Sequence, residues 1–283
     1  MLNIFKKKRN RVSDNLKNLI DGFELPSFSA TTMNVLGMLR DPDISMGDIA
    51  KTVQVDPGMN VNALRMVNSA AFGLSTKISN IRHAVTLLGK SRLEAIVLSL
   101  AIKDSIPSMG NAGYDMSSFW LASARRASLA RELARHLHPQ TQSEAFTAGL
   151  LQDMAVPFLA KFKGNQYGKL LSNWHEEDSA KLEVLEKESL GFDHQRIGSL
   201  VAEQWKLPQY LIEAIASHHV DLSTLEVEPA IKIVSLLKNS NDSNGTKKLI
   251  HVCETQFGFS NNQISEIIER TFEDAEEFSA MLN

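Results

Sequence analysis

The sequence predicts an all-α protein built as a two-lobed helical bundle. Apolar residues recur at spacings of three and four along most of the 283-residue chain, which is the period of helices with one buried face. Alternating runs rich in Val, Ile and Thr, which indicate strands, are scarce. A break rich in proline and glycine at 106–113 separates two groups of predicted helices. We therefore expect an N-terminal lobe at 16–107 and a second lobe at 114–283.

The N-terminal lobe is expected to follow a polar, basic and mobile segment at 1–15. Ser45 with Asp48 three residues later resembles a capping pair at a helix start. Asp56 suits a cap, and the Pro57 that follows it suits the first turn of a helix. These signals and the apolar spacing predict helices at 16–23, 27–39, 44–53 and 57–68.

A long apolar segment at 81–102 is expected at the centre of the molecule. Gly89 divides this segment into two helical pieces. The second piece, 93–102, is apolar on nearly every side, which indicates a helix buried all round. We call 93–102 the central segment and predict that it is among the most buried parts of the fold.

The C-terminal lobe is predicted from the same helical period. A polar run at 239–247, NSNDSNGTK, predicts a surface loop. The acidic, amphipathic end of the chain predicts two helices on either side of position 272. The predicted helices are 119–137, 144–162, 166–174, 180–189, 194–205, 208–217, 229–237, 261–271 and 273–282.

Composition excludes several classes of protein. With 30 basic and 33 acidic residues, the chain lacks the overall positive charge of non-specific nucleic-acid binders, so a nucleic-acid partner is disfavoured. No apolar run approaches the roughly 20 residues of a membrane span. The start of the chain lacks the order of a secretory signal. A single cysteine, Cys253, supplies neither an internal disulfide nor a thiolate metal cage, and we expect a cytoplasmic protein.

Short motifs rich in proline, glycine and small residues run along roughly 20–240. They are Leu25-Pro26, Asp41-Pro42, Asp56-Pro57, NSAAFG at 68–73, Leu87-Leu88-Gly89, Phe119-Trp120, Gly149-Leu150-Leu151, Gly191-Phe192-Asp193-His194, Trp205 with Leu207-Pro208, and His218-His219. Together they resemble the HDOD family, a bacterial relative of the HD-superfamily metal-dependent phosphohydrolases. The resemblance implies a helical fold and a role in signal transduction.

The resemblance also implies where metal ligands would lie. HD enzymes hold one or two divalent ions with His and Asp side chains from several helices, because imidazole and carboxylate suit such ions. In this sequence the matching positions are Asp153, His194, His218 and His219. His218 and His219 have a second explanation of about equal weight, as a polar helix end with one hydrogen-bonded and one solvated imidazole.

Three further ligand positions of the HD pattern are degenerate in this chain. Ala122 stands where the first His would be, and Gln152 replaces the His of the defining His-Asp pair. Lys238 falls near the final Asp of the pattern. Because two or three converging ligands bind a metal weakly at best, no cofactor is expected, and a weakly bound divalent metal is left open.

The turn at 68–73 and the stretch that follows it are candidates for a binding surface. The structural explanation is favoured, since small residues and a glycine permit a tight turn that an aromatic ring can anchor. The functional alternative is a surface that recognises a protein or a ligand. Its candidate residues are Asn68, Ser69, Phe72, Lys77, Arg82 and His83.

Four arginines form a basic face on one predicted helix. Arg125 and Arg126 are adjacent, and Arg131 and Arg135 follow on the same helix four residues apart. Such a face is able to take a phosphate-bearing ligand, but a solvated face is the favoured interpretation.

Two functions follow from the resemblance. The leading hypothesis is a non-catalytic HDOD regulatory module that binds a ligand or another regulatory or signalling protein. The alternative is a metal-dependent phosphohydrolase that acts on a nucleotide or cyclic dinucleotide through Asp153, His194, His218 and His219. The degenerate positions favour the first hypothesis and leave the enzyme question open.

Overall fold

All regular structure in the described part of the chain is helical. The computed structural model describes residues 19, 28–68, 75–105, 114–177, 179–223 and 228–282. Within these ranges there are 13 α-helices, one short 3-10 helix at Pro139–Thr141 and no strand, which confirms the all-α prediction. The α-helices are α1 (Ala30–Arg40), α2 (Met46–Val55), α3 (Pro57–Val67), α4 (Ile81–Ser105), α5 (Met116–Leu137), α6 (Gln142–Leu151), α7 (Ala155–Glu176), α8 (Leu182–Leu190), α9 (His194–Gln204), α10 (Gln209–Ser217), α11 (Pro229–Val234), α12 (Ser243–Phe257) and α13 (Asn261–Leu282).

Two N-terminal helices begin at the caps that the sequence predicts. The Ser45 hydroxyl accepts a hydrogen bond from the Asp48 N–H at 3.2 Å, and α2 begins at the next residue after Ser45. The Asp56 carboxylate accepts the Met59 N–H at 2.9 Å, and α3 begins at Pro57. Each cap supplies an acceptor for an N–H group that has no partner inside its helix.

The central segment is buried as the sequence predicts. Helix α4 bends at Gly89, whose φ of 70° is in a region that glycine adopts at no steric cost. Beyond the bend, Leu93, Ile96, Leu98 and Ile102 have no exposed side-chain surface. One side of α4 packs against α1, α2 and α3, and another packs against α6. Helix α4 therefore joins the N-terminal helices to the rest of the molecule.

Two glycines bring together the helices that carry the site. A Cβ atom on Gly149 of α6 would lie 2.9 Å from the Arg126 carbonyl oxygen, so only glycine allows this approach of α6 to α5. A Cβ atom on Gly198 of α9 would lie 2.7 Å from the Ile215 side chain of α10. These two close contacts place Arg126 beside the end of α6, and the start of α9 beside the end of α10.

Several predicted boundaries in the C-terminal half are wrong. The predicted helix 144–162 is broken by a turn between α6 and α7, and α7 then continues through the predicted helix 166–174 with a bend at Gly164. The predicted loop 239–247 contains the start of α12, because the Asp242 carboxylate accepts the Gly245 N–H at 2.7 Å and caps the helix. The two predicted C-terminal helices are one continuous helix, α13.

The division into lobes stays a prediction. The break at 106–113 and the segment at 1–15 lie outside the described residues, as does the predicted helix 16–23 apart from Leu19. Buried apolar side chains of α1–α4 form one continuous cluster with those of α6, α7, α9 and α10. A smaller cluster lies among α5, α11, α12 and α13. None of the helices in the described ranges combines the length and hydrophobicity that crossing a membrane requires.

Candidate functional site

Four side chains with metal-ligand chemistry converge where three inter-helix junctions meet. Asp153 lies in the turn after α6, His194 is the first residue of α9, and His218 and His219 follow the end of α10. One ligand atom from each of the four lies within 4.8 Å of the others. The structure thus brings together the four residues that the resemblance singles out.

Three of these ligand atoms form a compact triangle. His218 Nε2 lies 3.1 Å and His194 Nε2 lies 3.4 Å from Asp153 Oδ1, and the two Nε2 atoms are 3.2 Å apart. Tetrahedral zinc with bonds of about 2.0–2.1 Å separates its ligands by about 3.3–3.4 Å. The triangle therefore has the dimensions of one face of a tetrahedral metal site.

Neighbouring groups orient the His194 and His218 imidazoles so that the Nε2 atom of each ring faces Asp153. His194 Nδ1 lies 2.7 Å from Glu186 Oε2, and Tyr167 donates its hydroxyl hydrogen to the other oxygen of Glu186. His218 Nδ1 lies 3.0 Å from the Ile215 carbonyl oxygen and therefore donates to it. Metal-binding histidines commonly have such carboxylate or carbonyl partners.

Electrostatics give His194 and His219 different charges. Burial alone would lower the pKa of His194, but Glu186 and Asp153 raise its pKa to about 9, so it is a cation at neutral pH. Burial and the neighbouring His218 and His194 hold the pKa of His219 well below its usual value. His218 is hydrogen-bonded, as the polar helix-end explanation expects, but the His219 side chain is only 19% exposed and is not fully solvated.

The second oxygen of Asp153 is held by a buried arginine. Arg126 Nη2 lies 2.9 Å from Asp153 Oδ2, and the Arg126 side chain is 3% exposed. Arg126 Nη1 also donates to the Leu237 carbonyl oxygen at 3.1 Å. Burial alone would raise the pKa of Asp153, but Arg126 and His218 hold it well below its usual value. The interpretation of the arginine face as solvated is therefore wrong for Arg126.

The residues at the degenerate positions surround Asp153 without contributing a metal ligand. Ala122 is a buried methyl group, and Gln152 is 1% exposed with no hydrogen-bond partner for either side-chain polar atom among the described residues. Lys238 Nζ donates to the carbonyl oxygens of Trp174 at 3.2 Å and Glu177 at 2.9 Å. The donor set therefore fits at most one ion, held by the triangle and bordered by a guanidinium.

A cavity of about 290 Å³ opens beside Asp153 on the side of Arg126. It is lined by Ala122, Arg126, Asp153 and Lys238, by three aromatic side chains, and by polar and small residues of α5 and α7. Ala122 and Lys238 therefore line a pocket together with Asp153. The sequence alone does not predict this cavity, because its wall comes from three separate segments of the chain, 114–126, 153–175 and 238–239.

The predicted binding surface is only partly described. Lys77, Arg82 and His83 are exposed at the start of α4, whereas Ser69 and Phe72 lie outside the described residues. Asn68 has a structural role, because its amide donates to the Leu64 and Ile78 carbonyl oxygens at 2.7 Å and accepts the Ile78 N–H at 2.6 Å.

Comparison with known proteins identifies the family. The sequence matches the HDOD domain over residues 25–220, which is more than half of the chain. The chain therefore belongs to the HDOD family. The match agrees with the extent of the motifs described above.

Three proteins similar to this chain carry different names. An uncharacterized protein of Treponema pallidum (strain Nichols) is 23% identical over 214 residues, covering 75% of this chain and 41% of the relative, so the chain spans about two fifths of that protein. A structure from Shewanella amazonensis SB2B, whose name proposes a phosphohydrolase, has a TM-score of 0.75 at 20% identity and covers 96% of this chain and 98% of its own. A structure from Marinobacter aquaeolei VT8, whose name proposes a signal transduction protein, has a TM-score of 0.72 at 16% identity. The match covers 97% of this chain and 65% of the Marinobacter chain. At these identities the structures show a shared fold.

Proposed function

We propose that this chain is a non-catalytic regulatory module that acts in signal transduction by binding another protein or a small ligand. The observation that carries the proposal is the buried ion pair between Arg126 and Asp153, with Nη2 2.9 Å from Oδ2. A metal site draws its affinity for a divalent ion from carboxylate charge, and here a guanidinium already compensates that charge.

The neighbouring positions weaken a hydrolytic function further. Hydrolysis of a phosphate ester requires a cation that lowers the pKa of water and offsets the developing negative charge. Ala122 offers no donor atom, and the Gln152 amide is a neutral and poorer ligand than imidazole. Among the residues described around Asp153, no further acid replaces these ligands in the four-residue cluster.

A second candidate function is a metal-dependent phosphohydrolase that acts on a nucleotide or cyclic dinucleotide. The observation that favours it is the triangle of Asp153 Oδ1, His194 Nε2 and His218 Nε2, which would hold one divalent ion. Such an ion would polarise a phosphoryl oxygen and activate water. Against it, His194 must lose a proton whose pKa is about 9, and Arg126 repels a second positive charge.

The protein-binding surface of the regulatory module is proposed at the start of α4. Asn80 caps this helix by accepting the Arg82 N–H at 2.8 Å, which fixes the direction in which the helix leaves the preceding turn. Lys77, Arg82 and His83 are exposed there, so the surface is polar and basic. Its chemistry suits an acidic surface on a regulatory protein.

A paired assay of cellular function tests this proposal. The double variant Lys77→Ser/Arg82→Ser should lose function because it removes two exposed charges, whereas Asp153→Asn should alter function only as far as it alters protein abundance. Lys51→Ser, which removes an exposed lysine on α2, is the matched control and should behave as the wild type. An inactive Asp153→Asn protein at normal abundance, with an active surface variant, would replace this proposal with the hydrolytic one.

A further inference from the structure

We propose that the cavity between α5 and α7 binds an uncharged planar molecule, an aromatic ring with a neutral group that both donates and accepts hydrogen bonds. The inference rests on the proposed function, because it names the class of small ligand that the regulatory module recognises. At about 290 Å³ the cavity is near the lower end of the range for small-molecule pockets, about 300–1,000 Å³.

Two walls of the cavity differ in the size of their side chains. On the α5 side lie the rings of Tyr114 and Phe119, whose centroids are 6.2 Å apart. A Cβ atom on Gly164 or Gly168 of α7 would meet no other part of the described fold within 4 Å, so the space in front of both glycines is open. A planar ring would therefore pack against the aromatic side chains and leave the α7 backbone on its other side. The small residues of the α7 wall recur one helical turn apart and are Ala160, Gly164, Gly168 and Ser172.

The charged groups that line the cavity already have partners. Arg126 Nη2 lies 2.9 Å from Asp153 Oδ2, so the two charges at the buried end compensate each other. Asp115 is exposed to solvent, and its Oδ1 accepts N–H groups of the first turn of α5 at 3.0 and 3.1 Å. Lys238 Nζ donates to two carbonyl oxygens at the end of α7, at 2.9 and 3.2 Å. An ion that entered the buried end would lose its hydration without meeting an uncompensated opposite charge there.

The other polar side chains of the lining are neutral. His175 Nδ1 lies 3.2 Å from the Asn239 amide nitrogen, and burial lowers the pKa of His175, so this imidazole is uncharged at neutral pH. Burial raises the pKa of Tyr114, so its phenol stays protonated. The hydroxyl groups of Ser118 and Ser172 also line the cavity, and a hydroxyl both donates and accepts. A ligand group such as an amide, which does the same without a charge, would match these side chains.

Ligand-observed NMR titration of the full chain with three probes built on one ring tests the proposal. Benzamide is uncharged and both donates and accepts hydrogen bonds, whereas benzoate is an anion and benzylamine is a cation at neutral pH. Benzamide should bind about tenfold or more tightly than either ion. Binding of either ion as tightly as benzamide, or no saturable binding of benzamide, would overturn the proposal.

Two matched glycine substitutions locate the binding site. Gly168→Leu extends a side chain from the α7 wall into the cavity and should weaken benzamide binding about tenfold or more. Position 168 is exposed and leucine forms helices more readily than glycine, so this variant should stay folded. Gly37→Leu makes the same change at an exposed, open position of α1 outside the cavity lining and should bind benzamide as the wild type does. Unaltered binding by Gly168→Leu, or equal weakening in both variants, would contradict the assignment.

The same samples separate the inference from the proposed function. Release of inorganic phosphate from phenyl phosphate with added Mn²⁺ would contradict the non-catalytic function, whereas a preference for benzamide would still support the ligand class. Absence of benzamide binding without phosphate release would contradict only the inference about the cavity.

Discussion

Arg126 Nη2 lies 2.9 Å from Asp153 Oδ2, and both side chains are withdrawn from solvent, with 3% and 13% of their surfaces exposed. The guanidinium therefore occupies the outer oxygen of the carboxylate whose inner oxygen faces His194 and His218. This pair connects α5 with the turn between α6 and α7. It neutralises the buried Asp153 carboxylate without an added ion.

Loss of the arginine should destabilise the protein. Arg126→Met leaves Asp153 as a buried carboxylate without its cation, and breaking such a pair from one side costs about 3–5 kcal/mol. The double variant Arg126→Met/Asp153→Leu removes both charges and should recover most of that loss. Urea denaturation measures all three free energies of unfolding, and a loss below about 1 kcal/mol for Arg126→Met would contradict the role of the pair.

Truncation in the central segment should be costly. Leu98 is fully buried in α4, so Leu98→Ala should lower the free energy of unfolding by about 2–5 kcal/mol through lost burial and a residual cavity. We expect the same range for Leu100→Ala. Leu87→Ala, at a position 49% exposed before the bend of α4, is the control and should cost far less. Losses below about 1 kcal/mol at both buried sites would mean that the core is misplaced.

Gln152 should be replaceable without loss of stability. Its amide is buried with neither polar atom hydrogen-bonded among the described residues, and an unsatisfied buried group costs about 1–3 kcal/mol. Gln152→Leu should therefore unfold at the same denaturant concentration as the wild type or at a higher one. Gln195→Leu is the matched control, because Gln195 Nε2 donates to the Ala216 carbonyl oxygen at 3.1 Å and its removal should destabilise. The reverse order of the two variants would show that Gln152 has a partner.

Metal binding should be weak and limited to one ion. We expect dialysis against a chelator to remove all transition metal, because Arg126 places a positive charge beside the triangle. In a competition titration with a chromophoric chelator, Arg126→Gln should bind zinc more tightly than the wild type, and His218→Gln should bind it less tightly. A full complement of zinc, manganese or iron that survives dialysis would contradict this prediction.

The cluster of Asp and His side chains could be predicted from the sequence, but the residues that orient these side chains could not. The HDOD motifs locate Asp153, His194 and His218 through family resemblance. Glu186 orients His194 from α8, yet it lies in an ordinary amphipathic helix where no spacing marks it. The orientation depends on packing between helices, which helical period alone does not specify.

Arg126 shows a signal that the sequence contained. Ala122 and Arg126 are four residues apart on α5 and so share a face of the helix. Once Ala122 is aligned with a ligand position, Arg126 is expected one turn further along the same face. The prediction that the arginine face is solvated was wrong for Arg126 because α5 is buried on most of its sides. The positions of the arginines in the sequence do not show which of them face solvent.

The start of α12 was missed for a different reason. The run at 239–247 is rich in Asn, Ser and Asp, residues that favour turns and helix caps alike. Asp242 is the cap, and the helix continues through residues that the sequence analysis assigned to the loop. Local composition alone does not distinguish a loop from a capped helix start.

Phosphate release by the purified full chain tests most directly whether the site around Asp153 is hydrolytic. The wild type and Asp153→Asn are incubated with Mn²⁺ or Mg²⁺ and with a nucleoside monophosphate, and hydrolysis of a cyclic dinucleotide is followed in parallel. We expect the wild type to be no faster than Asp153→Asn with either substrate. Metal-dependent hydrolysis that is lost in Asp153→Asn and in His218→Gln would contradict it.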